Sequence, residues 1–134
     1  MDARSSWPLR VARPTSDLTA AERFWTTGLG LHVIARVAPQ TADEHPLLIL
    51  GWPGAAWHLE LVADADAAHE AAPGTEDLLV LYLGEPVSDA LVEALTDAGG
   101  VVVPSRNPYW DEWGVTVVDP DGYRLVLSHR TWAP

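Results

Sequence analysis

The chain has 134 residues, with 8 basic against 19 acidic side chains and a formal net charge of −11. Without cysteine it has no disulfide, thiolate metal site or thiol nucleophile, and without lysine it has no Schiff-base amine. The acidity argues against nucleic acid and anionic membrane as partners, and one domain of this length buries enough surface to fold without staples.

Leu9 to Arg13 is the first predicted strand, ended by Pro14. A helix follows, with Thr19 and Glu22 spaced as a capping box, Phe24 and Trp25 as buried bulk, and Gly28 and Gly30 as the stop. β-rich runs predict strands over 31–37, 47–50 and 57–62, separated by a polar turn at 38–46 and a Gly-Trp-Pro-Gly turn at 51–54. Residues 63–77 carry five acids, no arginine and a Pro-Gly pair, and read as a solvated linker with room for one helical turn. The order then repeats: a strand over 78–83, an amphipathic helix over 88–98 stopped by Gly99 and Gly100, and a strand over 101–103. A loop over 104–112, a strand over 113–118, an Asp-Pro-Asp-Gly turn at 119–122 and a strand over 123–130 complete it.

The halves match as an internal duplication. Residues 57–62 align with 123–128 and Asp17 with Glu85, which puts Arg10 on Leu78. One domain is therefore expected, with modules at 7–62 and 78–130 joined by the acidic linker. No apolar run approaches the roughly 20 residues of a membrane span. The segment before Leu9 lacks the apolar core of a secretory leader, so the expectation is a cytoplasmic protein.

Four stretches carry a resemblance: Arg10-Val-Ala-Arg-Pro-Thr-Ser-Asp17, Phe24-Trp-Thr-Thr-Gly-Leu-Gly-Leu31, His58-Leu-Glu-Leu61 and Asp119-Pro-Asp-Gly-Tyr-Arg-Leu-Val-Leu127. Together they resemble the glyoxalase/bleomycin-resistance/dioxygenase superfamily, also called the vicinal-oxygen-chelate fold. The resemblance spans nearly the whole chain. It implies an α+β fold of two βαβββ modules whose curved mixed sheets make a cup with helices outside. Metal-dependent members take ligands from a His or Gln on the first strand of each module and a Glu on the last. Here those positions hold Arg10, Glu60, Leu78 (or Asp77 with a one-residue shift) and Val126, so only Glu60 matches. One carboxylate beside a guanidinium is a poor divalent-metal site, because hard cations want several oxygen or nitrogen ligands. No cofactor is expected, and a divalent metal is disfavoured.

Strand side chains alternate faces with period two. If Glu60 faces the cup, so do His58, Arg10 and Ala12, while Leu59 and Leu61 pack under the helices. Leu78, Val80, Tyr82, Arg124, Val126 and Ser128 follow in the second module. Arg10 is the nearest cation for Glu60 and is expected to pair with it. His58 and Glu60 are the candidate acid–base pair. Asn107, Tyr109 and Trp110 form the loop best placed to hydrogen-bond and cover a planar ligand, and Trp52 and Trp57 mark the corresponding rim of the first module. His32, His45, His69 and His129 read as solvated.

The resulting expectation is metal-independent binding of a small organic molecule, cationic or aromatic, in the manner of resistance or secondary-metabolite-binding proteins. The alternative is a glyoxalase-like lyase or isomerase, or a metal-free enzyme using Glu60 and His58. The resemblance also implies a homodimer, with modules paired within a chain or exchanged between chains.

Overall fold

The computed structural model describes residues 2–134. Short runs of leucine and β-branched residues build eight strands. β1 (Leu9–Thr15), β2 (His32–Val37), β3 (Leu47–Gly51) and β4 (Trp57–Ala63) form one sheet in the order β1-β4-β3-β2. β5 (Leu78–Tyr82), β6 (Val101–Val103), β7 (Gly114–Val118) and β8 (Arg124–Ser128) repeat it as β5-β8-β7-β6. In each sheet the first strand lies parallel to the last and the other pairs are antiparallel. This is the duplicated mixed-sheet α+β fold. Arg10 sits opposite His58 and Leu78 opposite Arg124, so the two positions correspond as the alignment requires.

Several element ends differ from expectation. β1 continues through Pro14 to Thr15. It is an edge strand, where a residue without an N–H is tolerated. The first helix, α1 (Leu18–Arg23), is capped by Asp17 rather than Thr19, and the Asp17 carboxylate accepts from the Ala20 N–H at 3.0 Å. α1 runs on as a π-helical turn over Phe24–Gly28. Within the acidic linker Asp64 caps α2 (Ala65–Glu70). Ser88 caps α3 (Asp89–Asp97), so the counterpart of Asp17 is Ser88 and not Glu85. The expected loop contains α4 (Pro108–Trp113), with Asn107 as its cap and proline in its first turn. Trp113 therefore ends a helix, and β7 starts one residue later. A Cβ on Gly114 would lie 2.0 Å from the Leu127 carbonyl oxygen, so only glycine fits this crossing.

One core serves both modules. Ala21, Phe24, Trp25 and Leu29 meet Leu48, Leu50, Leu59 and Leu61 of the first sheet. The same cluster takes in Leu95 of α3 and Val117, Leu125 and Leu127 of the second sheet. Polar contacts add to the junction. Arg23 donates to the Asp97 carbonyl, the Ser16 N–H to Asp121 at 3.2 Å, and the Arg13 guanidinium lies 4.2 Å over the Tyr123 ring. Each sheet thus commits one face to the shared core and turns the other away from it.

Candidate functional site

The first outer face carries the polar groups. Leu59 and Leu61 are buried in the core, so His58 and Glu60 project from the opposite side of β4. The Arg10 guanidinium Nη1 donates to Glu60 Oε1 at 3.2 Å. Glu60 is 16% exposed and Arg10 52%. A single-point pair this open to water contributes at most about 1 kcal/mol to stability, so its interest is positional. The His58 ring rests on bare backbone, since a Cβ on Gly51 would stand 2.7 Å from His58 Cδ2.

The four positions that the resemblance implies for a metal hold Arg10, Glu60, Leu78 and Val126, a set short of oxygen and nitrogen donors for a divalent ion. Two are apolar, and the single carboxylate already accepts from a cation. Among the described residues no three His, Asp or Glu side chains gather into a metal site. His45 instead faces Asp64, Nε2 to Oδ2 at 3.4 Å.

The second outer face is more enclosed than expected. Val126 and Ser128 share it with Arg124 but are buried, and α4 packs against β7 and β8. Ser128 Oγ lies 3.4 Å from the Trp113 carbonyl. Arg124 crosses the face and donates Nη1 to the Pro104 carbonyl at 3.3 Å. The Asn107 side-chain oxygen is engaged in capping α4, accepting from the Tyr109 N–H at 3.0 Å. Tyr109 and Trp110 meet edge to face at 5.0 Å, and Arg130 donates to the Tyr109 hydroxyl at 3.2 Å while lying 4.5 Å over Trp113. Tyr82 ends β5 and is exposed.

Trp52 and Trp57 belong elsewhere. Trp57 shares the parity of Leu59, not of Glu60, and both tryptophans pack on the core. They meet edge to face at 5.7 Å, and the Trp52 indole donates to the Gly30 carbonyl at 3.0 Å. Trp57 lines an apolar cavity of about 210 Å³ with Leu9, Val11, Trp25, Leu79 and Leu81. The single Pro-Gly turn between Trp52 and Trp57 suggests a rim, but period two places Trp57 on the core side of β4.

Sequence reasoning missed two polar residues. Thr116 is buried on the outer face of β7 with its hydroxyl unpartnered; alternation about Val117 was the available signal. The other is Asp119, read only as part of a turn. Burial raises its pKa to about 6, although its carboxylate accepts the Asp121 and Tyr123 N–H groups at 2.9 and 2.8 Å. Burial likewise lowers the pKa of nearby Arg13, against the attraction of Asp119, Tyr123 and Asp77.

Residues 9–62 match the model of the YycE-like N-terminal domain and residues 76–129 that of the YycE-like C-terminal domain. The chain belongs to the YycE-like family. YycE of Bacillus subtilis is 35% identical over 122 residues, spanning 90% of this chain and 86% of that protein. The crystal structure of a B. subtilis YycE, a protein of unknown function described as a candidate glyoxalase/fosfomycin resistance protein, matches at 31% identity with a TM-score of 0.78, covering 96% of this chain and 93% of that one. The trypanothione-dependent glyoxalase I of Leishmania major shares the fold at 19% identity and a TM-score of 0.69, covering 90% and 84% of the two chains. TnmS3, an antibiotic binding protein from Streptomyces sp. CB03234, matches at 25% identity with a TM-score of 0.54 over 89% and 91%. The YycE-like chain is thus a glyoxalase/bleomycin-resistance superfamily fold. No helix among its described residues is long and apolar enough to cross a membrane.

Proposed function

We propose that this YycE-like chain binds a small organic molecule against its outer sheet faces without a metal ion, as a sequestering protein. The observation that carries the reading is the 3.2 Å contact between Arg10 and Glu60. It fills two of the ligand positions that the resemblance implies with a cation and its counter-charge, and the other two, on the second sheet, are the apolar Leu78 and Val126. The antibiotic-binding relative TnmS3 supports the same reading. Tyr82, Tyr109, Trp110 and Arg124 are the contacts on the second module, and Arg10, His58 and Glu60 those on the first. An acid–base role for His58 and Glu60 has less support, because Glu60 is already engaged by Arg10.

The reading includes a homodimer. β1 and β5 each have a hydrogen-bonded neighbour on one side only, and Leu9 on the β1 edge is 62% exposed. An unpaired strand edge favours pairing with a second chain.

Native mass spectrometry of chelator-treated protein screened against an aromatic metabolite library tests both parts. We expect a two-chain mass and ligand retention that is indifferent to chelator. Arg10→Ala and Glu60→Gln are each expected to weaken retention about tenfold, as loss of a charge-assisted contact does. Retention only after nickel, zinc or manganese is added, or variants that bind as the parent does, would contradict the proposal.

A further inference from the structure

The two outer faces do not balance in charge. On the first, Arg10 is offset by Glu60. On the second, Arg124 has only the Pro104 carbonyl, at 3.3 Å, and among the described residues no carboxylate lies within ion-pair distance of it. The nearby Asp111 carboxylate is occupied by the Ser105 N–H at 3.0 and 3.2 Å.

Beside Arg124 is the second unsatisfied group. Register places Val118 opposite Arg124 and Thr116 opposite Val126, so Thr116 is one diagonal step from Arg124 on the same face. Its hydroxyl is buried and has no partner. A buried hydroxyl without a hydrogen bond is costly unless something completes it. The face therefore holds a half-buried guanidinium beside a fully buried hydroxyl without a partner among the described residues, with Val80 and the fully buried Val126 around them, and a ligand head group reaches that hydroxyl only when the side chains over it move aside.

We propose that Arg124 and Thr116 are the head-group clasp of the small-molecule site, and that its ligand is an organic acid: an apolar or aromatic body carrying one carboxylate. Arg124 exchanges its long carbonyl contact for a charge-assisted pair, and the Thr116 hydroxyl donates to the same carboxylate. This rests on the small-molecule reading above and replaces the cationic ligand expected from the bleomycin-resistance resemblance. The net charge of −11 does not oppose it at physiological salt, where charges more than about 8 Å apart are largely screened and the local groups decide.

The test is calorimetric titration of the full chain, at about 150 mM salt, with three matched probes: 2-naphthoate, 2-naphthalenemethanol and 2-naphthylmethylammonium. The naphthoate is expected to bind at least about tenfold tighter than the alcohol, with the ammonium weakest. Arg124→Gln should erase that margin and leave the alcohol unchanged. Arg124→Lys should keep part of it, and Thr116→Val should weaken the acid several-fold while sparing the alcohol. Arg106→Gln removes the same charge from an exposed position before the Asn107 cap of α4 and should change nothing. Thermal melts confirm that each variant is folded. The alcohol or ammonium matching the acid, or an intact margin in Arg124→Gln, would overturn the inference while leaving the small-molecule reading standing. No binding of any probe would overturn both.

Discussion

Phe24→Ala is expected to cost about 3–5 kcal/mol and to unfold both modules in one transition. Phe24 is fully buried, in a cluster containing residues of α1, α3 and both sheets. Its ring meets Trp25 edge to face at 5.0 Å. On the far side it presses so closely on Gly100 that a Cβ there would stand 2.7 Å from Phe24 Cε1 and equally near Val117. The void left by alanine is therefore walled by both halves of the duplication, and relaxation in one is limited by the other. Urea unfolding followed by tryptophan fluorescence and by far-UV circular dichroism checks this. The two probes should give one shared midpoint, shifted to lower urea in the variant. Separate transitions, or a loss below 1 kcal/mol, would show that each module keeps its own core.

The second large effect is a pH dependence traced to Asp119. Burial gives its carboxyl a folded-state pKa of about 6, against an ordinary value of 3.8. The folded protein thus holds this proton more tightly than the unfolded chain does. The stabilisation is fully present below 3.8 and is lost as pH rises through 6. Its full extent is about 3 kcal/mol, and about 1 kcal/mol of it develops between pH 7 and pH 5. Asp119→Asn keeps an oxygen for the Asp121 and Tyr123 N–H groups but does not titrate. Urea unfolding at pH 7 and pH 5 should show the parent gaining about 1 kcal/mol more than the variant on acidification. Equal gains would remove Asp119 from the account. Using the difference between proteins cancels the histidines and the falling net charge, which affect both alike.

Much of this molecule is legible in its residues. Leu59 and Leu61 alternating with His58 and Glu60 give the faces of β4 directly, and the duplication then places Arg10 beside Glu60 and Leu78 beside Arg124. The Arg10–Glu60 pair needed only those registers and the rule that a partly buried carboxylate finds a cation. α4 was not legible, although Asn107 before Pro108 is a helix-start signal, because six residues are too few for apolar periodicity. Asn107 reads as a ligand contact, but its side-chain oxygen is committed to the Tyr109 N–H, which leaves its amide NH2 as the group open to a ligand. Trp52 and Trp57 read as a rim from their place beside the turn, whereas both pack on the core and strand parity puts Trp57 on the side of Leu59. The chain length allows two halves sharing a core but does not settle it, because periodicity shows which side of a sheet is apolar and not which other surface meets it. Alternation about Val117 gives the face on which Thr116 lies but not its burial, and the burial of Asp119 is not visible in its own turn.

The central claim is that a guanidinium and its counter-ion occupy the place of a metal centre. Metal loading tests it most directly: incubate the purified full chain with excess nickel, zinc and manganese in turn, desalt, and determine metal by inductively coupled plasma mass spectrometry. The account predicts far less than one ion per chain, with no difference between the parent and Glu60→Gln. One ion per chain in the parent, lost in Glu60→Gln, would contradict it.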